Sequence, residues 1–211
     1  MIFLTLLKGI AVGIVIALPV GPVGVLCVRR CLFEGAVMGF VSGLGAAFAD
    51  ATFGAIAALG LTVLRDWLLD YQDWFGLAGG LFLLGLGVKA LFIVRANEPE
   101  PLAGEAMLGA FASAYALTIA NPITLLSFAA IFAKLGADAV TGLAGASALV
   151  GGVFVGSLLW WLGLSFGIAG FRRVIGRVRL IWLNRISGAI LALSGLGLLA
   201  AALLAFAGAT R

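Results

Sequence analysis

Residues 17–22 read Ala-Leu-Pro-Val-Gly-Pro and fall inside an apolar run that extends from about residue 3 to 28. Residues 117–122, Leu-Thr-Ile-Ala-Asn-Pro, fall in the same way inside a run from 106 to 132. Proline lacks a backbone N–H, clashes with the carbonyl four residues before it, and pushes its predecessor out of helical geometry. Pro19 and Pro22, flanking Gly21, should therefore open the first run for about one turn. Asn121 is suited to cap a helix and Pro122 to begin one, so the second stretch reads as a helix start in mid-run. Thr118, Thr124 and Ser127 stand close by and can bond to released carbonyls or to a ligand. A plain proline kink is the structural alternative at both places.

The surroundings of these stretches belong in a bilayer. Of 211 residues, 64% are apolar, 10% are charged and none is histidine, and the mean hydropathy is +1.24. Soluble domains are nearer half apolar and a quarter charged. Apolar runs between polar breaks give six spans, at about 3–28, 36–64, 74–94, 106–132, 139–169 and 186–208. Their lengths suit a hydrocarbon core about 30 Å thick. The expected fold is all-α: a polytopic membrane protein of about six transmembrane helices, one membrane domain over residues 1–211, with helices 1 and 4 broken at proline. Without histidine, His-held haem, His-ligated zinc proteases and Ser-His hydrolases are excluded. A lone intramembrane Asp cannot form an aspartyl dyad. Neither an enzyme nor a cofactor or metal site is expected. No basic residue precedes the first apolar run, so a cleaved signal peptide is not expected either.

The net charge of +4 fits basic cytoplasmic loops better than a nucleic-acid surface. The breaks carry Arg29–Arg30–Glu34, Arg65–Asp66–Asp70–Asp73, Arg95–Glu98–Glu100–Glu105, Lys134–Asp138 and Arg172–Arg173–Arg177–Arg179–Arg185. Counting Lys89, nine of the thirteen basic residues fall on the side of the first, third and fifth breaks. That side should be cytoplasmic, with both termini outside. Pro99 and Pro101 mark the third break as a joint between halves of about 1–95 and 106–208.

The halves echo each other. Pro22 and Pro122 stand 100 residues apart, and Val41-Ser42-Gly43-Leu44 resembles Val140-Thr141-Gly142-Leu143 at an offset of 99. Three spans per half is an odd number, so the second copy would enter the membrane from the opposite face. Two inverted three-helix repeats with interrupted helices in matching positions are the best sequence pointer to a transporter's binding site. Backbone freed at membrane depth is tolerated only inside protein or beside a water-filled cavity. The half-helix that starts at Pro22 would offer its N-terminal N–H groups to an anion such as a carboxylate.

Asp50 is the sharpest single signal. It lies at the centre of the second span, about 14 residues and so about 21 Å from either end. An Asp there costs about 2.5–3.5 kcal/mol on insertion scales, and such residues normally face the bundle interior along an ion or proton path. Gly35, Gly39 and Gly43 form a small-residue ridge for helix packing, within the molecule or in a homodimer. From Gly43 to Asp50 the helix turns about 700°, which returns to the same face within about 20°. Asp50 either exchanges a proton during transport or, protonated, bridges two helices. Cys27 and Cys31, four residues apart on one helical face, read as packing residues. Lys8 and Lys89 should snorkel to the interface. Trp67, Trp74, Trp160, Trp161 and Trp182 fit an aromatic belt, and the arginines at 172–179 could touch anionic lipid.

The stretch Leu18-Pro19-Val20-Gly21-Pro22-Val23-Gly24, followed by Arg29-Arg30, Gly35, Gly39, Gly43, Gly45, Asp50 and Gly60, resembles the first half of the LysE/RhtB-type amino-acid exporter family. Asn121-Pro122 and the apolar aromatic run after it resemble that family's second signature. The resemblance spans essentially the whole chain. It implies a secondary exporter of amino acids or related small zwitterions in a bacterial inner membrane, driven by H+ or Na+. It places the pathway at Pro19, Gly21, Pro22, Asp50, Asn121 and Pro122, with Thr124 close by. Many members read Pro-Gly-Pro where this chain has Pro-Val-Gly-Pro, which leaves substrate preference open. Export of an inorganic ion or divalent cation is the alternative, although cation selection favours several carboxylates, thiols or imidazoles. A transmembrane thiol–disulfide carrier would need cysteines that meet across the bundle, and both lie at one helix end.

Overall fold

A computed structural model describes residues 2–18, 21–58, 70–92, 104–135, 142–172 and 177–209. Those residues form eight helices and no strand: α1 (Ile2–Ala17), α2 (Pro22–Phe33), α3 (Ala36–Ala58), α4 (Gln72–Phe92), α5 (Gly104–Ile119), α6 (Pro122–Leu135), α7 (Gly142–Arg172) and α8 (Arg177–Ala209). Both proline stretches interrupt helix where the sequence places them. The axes of α1 and α2 bend by 81°. Helix α5 stops at Ile119 and α6 begins at Pro122.

Among the described residues, four helices are each long and apolar enough to cross a membrane, namely α3, α4, α7 and α8, and the bent pair α1–α2 makes a fifth if taken as one span. Helices α5 and α6, at 16 and 14 residues, are each shorter than the roughly 20 residues a bilayer needs. The fourth apolar run is divided at Ala120–Asn121, where a break in helix 4 is expected from sequence, so among the described residues no single helix spans it.

Glycine sets the packing. Gly9 and Gly13 of α1 press on the backbone of α7 at Leu149, Gly152 and Val153, and Gly152 and Gly156 of α7 press back on Leu6, Gly9 and Ile10. This is a pair of facing GxxxG elements, which let two helices approach backbone to backbone where lipid supplies no hydrophobic drive. Helix α4 meets α8 through Gly80 and Gly87 against Gly195 and Gly188. Helix α3 meets α5 where Gly45 lies on the carbonyl of Phe111. Helix α3 also packs along α7, so α3 and α7 form the middle of the molecule.

The ridge expected at Gly35, Gly39 and Gly43 is corrected in one member. Gly35 precedes α3 and has φ 97°, a left-handed turn conformation that disfavours any other side chain. Gly39 lies against Cys31 of α2 and Gly43 against Trp161 of α7, so both pack within the molecule. The fully buried Cys27 and Cys31 are packing residues on α2. Leucines at 193, 203 and 204 on α8 and Leu81 on α4 are exposed, as suits a face against hydrocarbon.

Candidate functional site

The two interruptions and Asp50 meet at one place. At the first break, Gly21 caps α2 with an extended backbone (φ −83°, ψ −169°), and its carbonyl accepts the Val25 N–H at 3.0 Å. Pro22 follows as the first helical residue and brings no N–H. Val23 and Gly24 come next, at positions whose N–H groups have no acceptor within the helix. At the second break the Asn121 carbonyl accepts N–H bonds from Thr124 (3.1 Å) and Leu125 (3.4 Å), which is the geometry of an N-cap. Thr118, in the last turn of α5, donates its hydroxyl to the Ala114 carbonyl at 2.8 Å.

Asp50 approaches from α3. It is only 3% exposed, and its Oδ2 accepts a hydrogen bond from Ser157 Oγ of α7 at 2.7 Å. Gly21, Val23 and Gly24 from the first break line a cavity of about 50 Å³ with Asp50. Thr118, Asn121 and Thr124 from the second break complete its polar wall, and Trp161 of α7 closes another side. The cavity has room for a few water molecules. It offers one acid on one wall and two helix N-termini on the others, so positive and negative groups of one small molecule would each find a complement.

Of the residues singled out in sequence, Gly21, Asp50, Asn121 and Thr124 come together here. Pro22 and Pro122 begin the half-helices that flank them. Pro19 lies outside the described residues. Among the described residues, no three His, Cys, Asp or Glu side chains gather as metal ligands.

This geometry coincides with a family assignment. A model of the LysE type translocator family matches residues 14–202. The chain belongs to the LysE type translocator family. It is also 24% identical over 197 residues to a protein of Bacillus subtilis (strain 168) named "Putative amino acid efflux protein YcgF", a match covering 90% of this chain and 92% of that one. No solved structure matches.

One residue of this translocator escapes the sequence, and two stand elsewhere than the sequence suggests. Ser157 is fully buried, but a single serine in an apolar span carries little signal. The spacing Ser157–Trp161–Ser165, one residue per turn on one face of α7, is the pattern that could have exposed it. Trp161 is not part of an aromatic belt: it is 4% exposed, whereas Trp74 and Trp182 are 58% and 60% exposed and do suit an interface. Arg30 is not a loop charge. It lies inside α2, 9% exposed, and donates to Ser42 Oγ (2.8 Å), the Ala110 carbonyl (3.0 Å) and Ser113 Oγ (2.9 Å). Arg29 next to it donates to Asn184 Oδ1 of α8 at 3.2 Å, and Asn184 Nδ2 donates to the Ala90 carbonyl of α4 at 2.6 Å. This network fastens the end of α2 to α3, α5 and α8.

Proposed function

We propose that the chain exports amino acids or closely related small zwitterions from the bacterial cytoplasm across the inner membrane, in exchange for H+ or Na+. The observation that carries this reading is the meeting of Asp50 with the N-termini of both half-helices in one cavity. A substrate ammonium or the coupling ion would pair with Asp50. A substrate carboxylate would take hydrogen bonds from the N–H groups of Val23 and Gly24, and the dipoles of α2 and α6 would both favour its negative charge. The family assignment and the efflux relative support the same direction of transport.

The proposed mechanism is alternating access between two inverted halves, about residues 1–95 and 106–208. Under such symmetry α1–α2 corresponds to α5–α6, α3 to α7, and α4 to α8. The main packing pairs agree with this exchange: α1 on α7 becomes α5 on α3, while α3 on α7 and α4 on α8 map onto themselves. On this reading α5 and α6 together supply the sixth crossing. A cavity of about 50 Å³ is small beside the 300–1,000 Å³ of open ligand pockets, so substrate must be admitted by movement of one half against the other.

The test is efflux from cells preloaded with mixed amino acids, followed by mass spectrometry of the medium. Cells expressing the chain are compared with cells expressing Asp50→Asn at matched membrane levels. Selective release of one or a few amino acids, lost in the variant, is the expected result. Release identical to that of empty cells would overturn the amino-acid reading, and normal concentrative efflux by Asp50→Asn would remove Asp50 from the coupling step.

A further inference from the structure

Trp161 carries a buried polar group that the mechanism above leaves unused. Its side chain is 4% exposed and lines the cavity with Asp50, yet its indole Nε1–H has no acceptor among the described residues. Buried tryptophan N–H groups ordinarily have a partner. The ring itself is firmly placed. It packs with Ala17 of α1, Cys27 of α2, and Ala46 and Ala47 of α3. Gly43 offers it bare backbone, and a Cβ at that position would stand 2.7 Å from Trp161 Cγ. Any side chain at 43 would displace the indole. Ser157, one turn earlier on α7, bonds Asp50, so the two residues lie on the same face of α7.

The chemistry of the orphan group selects its partner. An indole N–H donates and cannot accept. It offers nothing to an ammonium and bonds most strongly to an anionic oxygen. We propose that Trp161 Nε1–H donates a hydrogen bond to a carboxylate oxygen of the transported zwitterion, beside the N-termini of α2 and α6, and so favours acids over their neutral analogues. This assignment rests on the amino-acid reading of the cavity.

The test uses the purified full chain in proteoliposomes. Exchange is measured for each of the twenty radiolabelled L-amino acids and, for every one exchanged, for its α-carboxamide. Trp161→Phe keeps an aromatic ring and removes the N–H. It should raise the half-saturating concentration of the amino acid about tenfold, the size expected for a charge-assisted hydrogen bond. The preference for acid over carboxamide should fall by a similar factor. A ring that only fills space would change the amount of active protein and leave that preference intact. If Trp161→Phe does not reach the membrane, the indole at 161 is replaced by the isosteric benzothiophene, in which sulfur stands for the N–H, and the same two quantities are read. Unchanged half-saturation and unchanged preference in these variants would overturn the Trp161 assignment alone. If the unaltered protein exchanges none of the twenty amino acids, the amino-acid reading fails and this assignment fails with it.

Discussion

The hydrogen bond between Ser157 and Asp50 joins the two central helices at the cavity, and its energy can be isolated by a double-mutant cycle. Interhelical hydrogen bonds in a membrane protein are worth about 0.6 kcal/mol on average and about 1.7 at most. This one belongs above that average. The Ser157 side chain is fully buried, Asp50 is 3% exposed, and the O···O distance is 2.7 Å, so the bond is short and shielded and the carboxyl loses it outright in Ser157→Ala. Ser157→Ala should destabilise the protein by about 1.5 kcal/mol, and Ser157→Thr, which keeps a hydroxyl, by less than about half of that. In an Asp50→Ala background the same Ser157→Ala change should cost at most about 0.5 kcal/mol, giving a coupling near 1 kcal/mol. The assay is equilibrium unfolding of purified protein in mixed micelles with increasing SDS, followed by circular dichroism. Equal costs for Ser157→Ala in both backgrounds would refute the reasoning, because they would show that the serine stabilises through packing and not through the acid.

Two further predictions concern what holds the cavity in place. Gly152→Ala would put a Cβ 2.8 Å from Gly9 Cα and 2.9 Å from the Ile10 nitrogen; forcing α1 from α7 should cost about 1–3 kcal/mol. Gly163→Ala on the same helix meets nothing within 4 Å and should change stability by less than about 0.5 kcal/mol, as read by the same SDS titration. Arg30→Lys keeps the charge but loses the planar fork that reaches Ser42, Ala110 and Ser113 together. It should destabilise by about 1–3 kcal/mol, and stability equal to the unaltered protein would mean that the fork is not what fixes α2.

Local chemistry made the helix breaks legible in sequence. A proline lacks its N–H whatever surrounds it, and an Asn-Pro pair caps and starts a helix by its own geometry, so α2 and α6 begin where the pattern requires. An acid amid apolar residues is costly in any membrane fold, which is why Asp50 stood out and why it proved to be buried. The glycines were harder. Gly35, Gly39 and Gly43 share a four-residue spacing, yet one is a turn residue, one accommodates Cys31 and one accommodates Trp161. The facing pairs Gly9–Gly13 and Gly152–Gly156 passed unnoticed because small residues are frequent throughout the chain.

By itself, then, the sequence determined that the chain belongs in a membrane, where its helices break, and which acid lies buried. Only the tertiary structure decided that Ser157 serves Asp50 across 107 residues, that Arg30 is buried in the bundle, and that Trp161 faces the cavity. The reason lies in the solvent. In water a helix advertises its buried face by an apolar stripe, but in lipid the exposed and buried faces are both apolar and the stripe disappears. A serine, a tryptophan or a glycine on such a helix has no readable direction until its neighbours are in place.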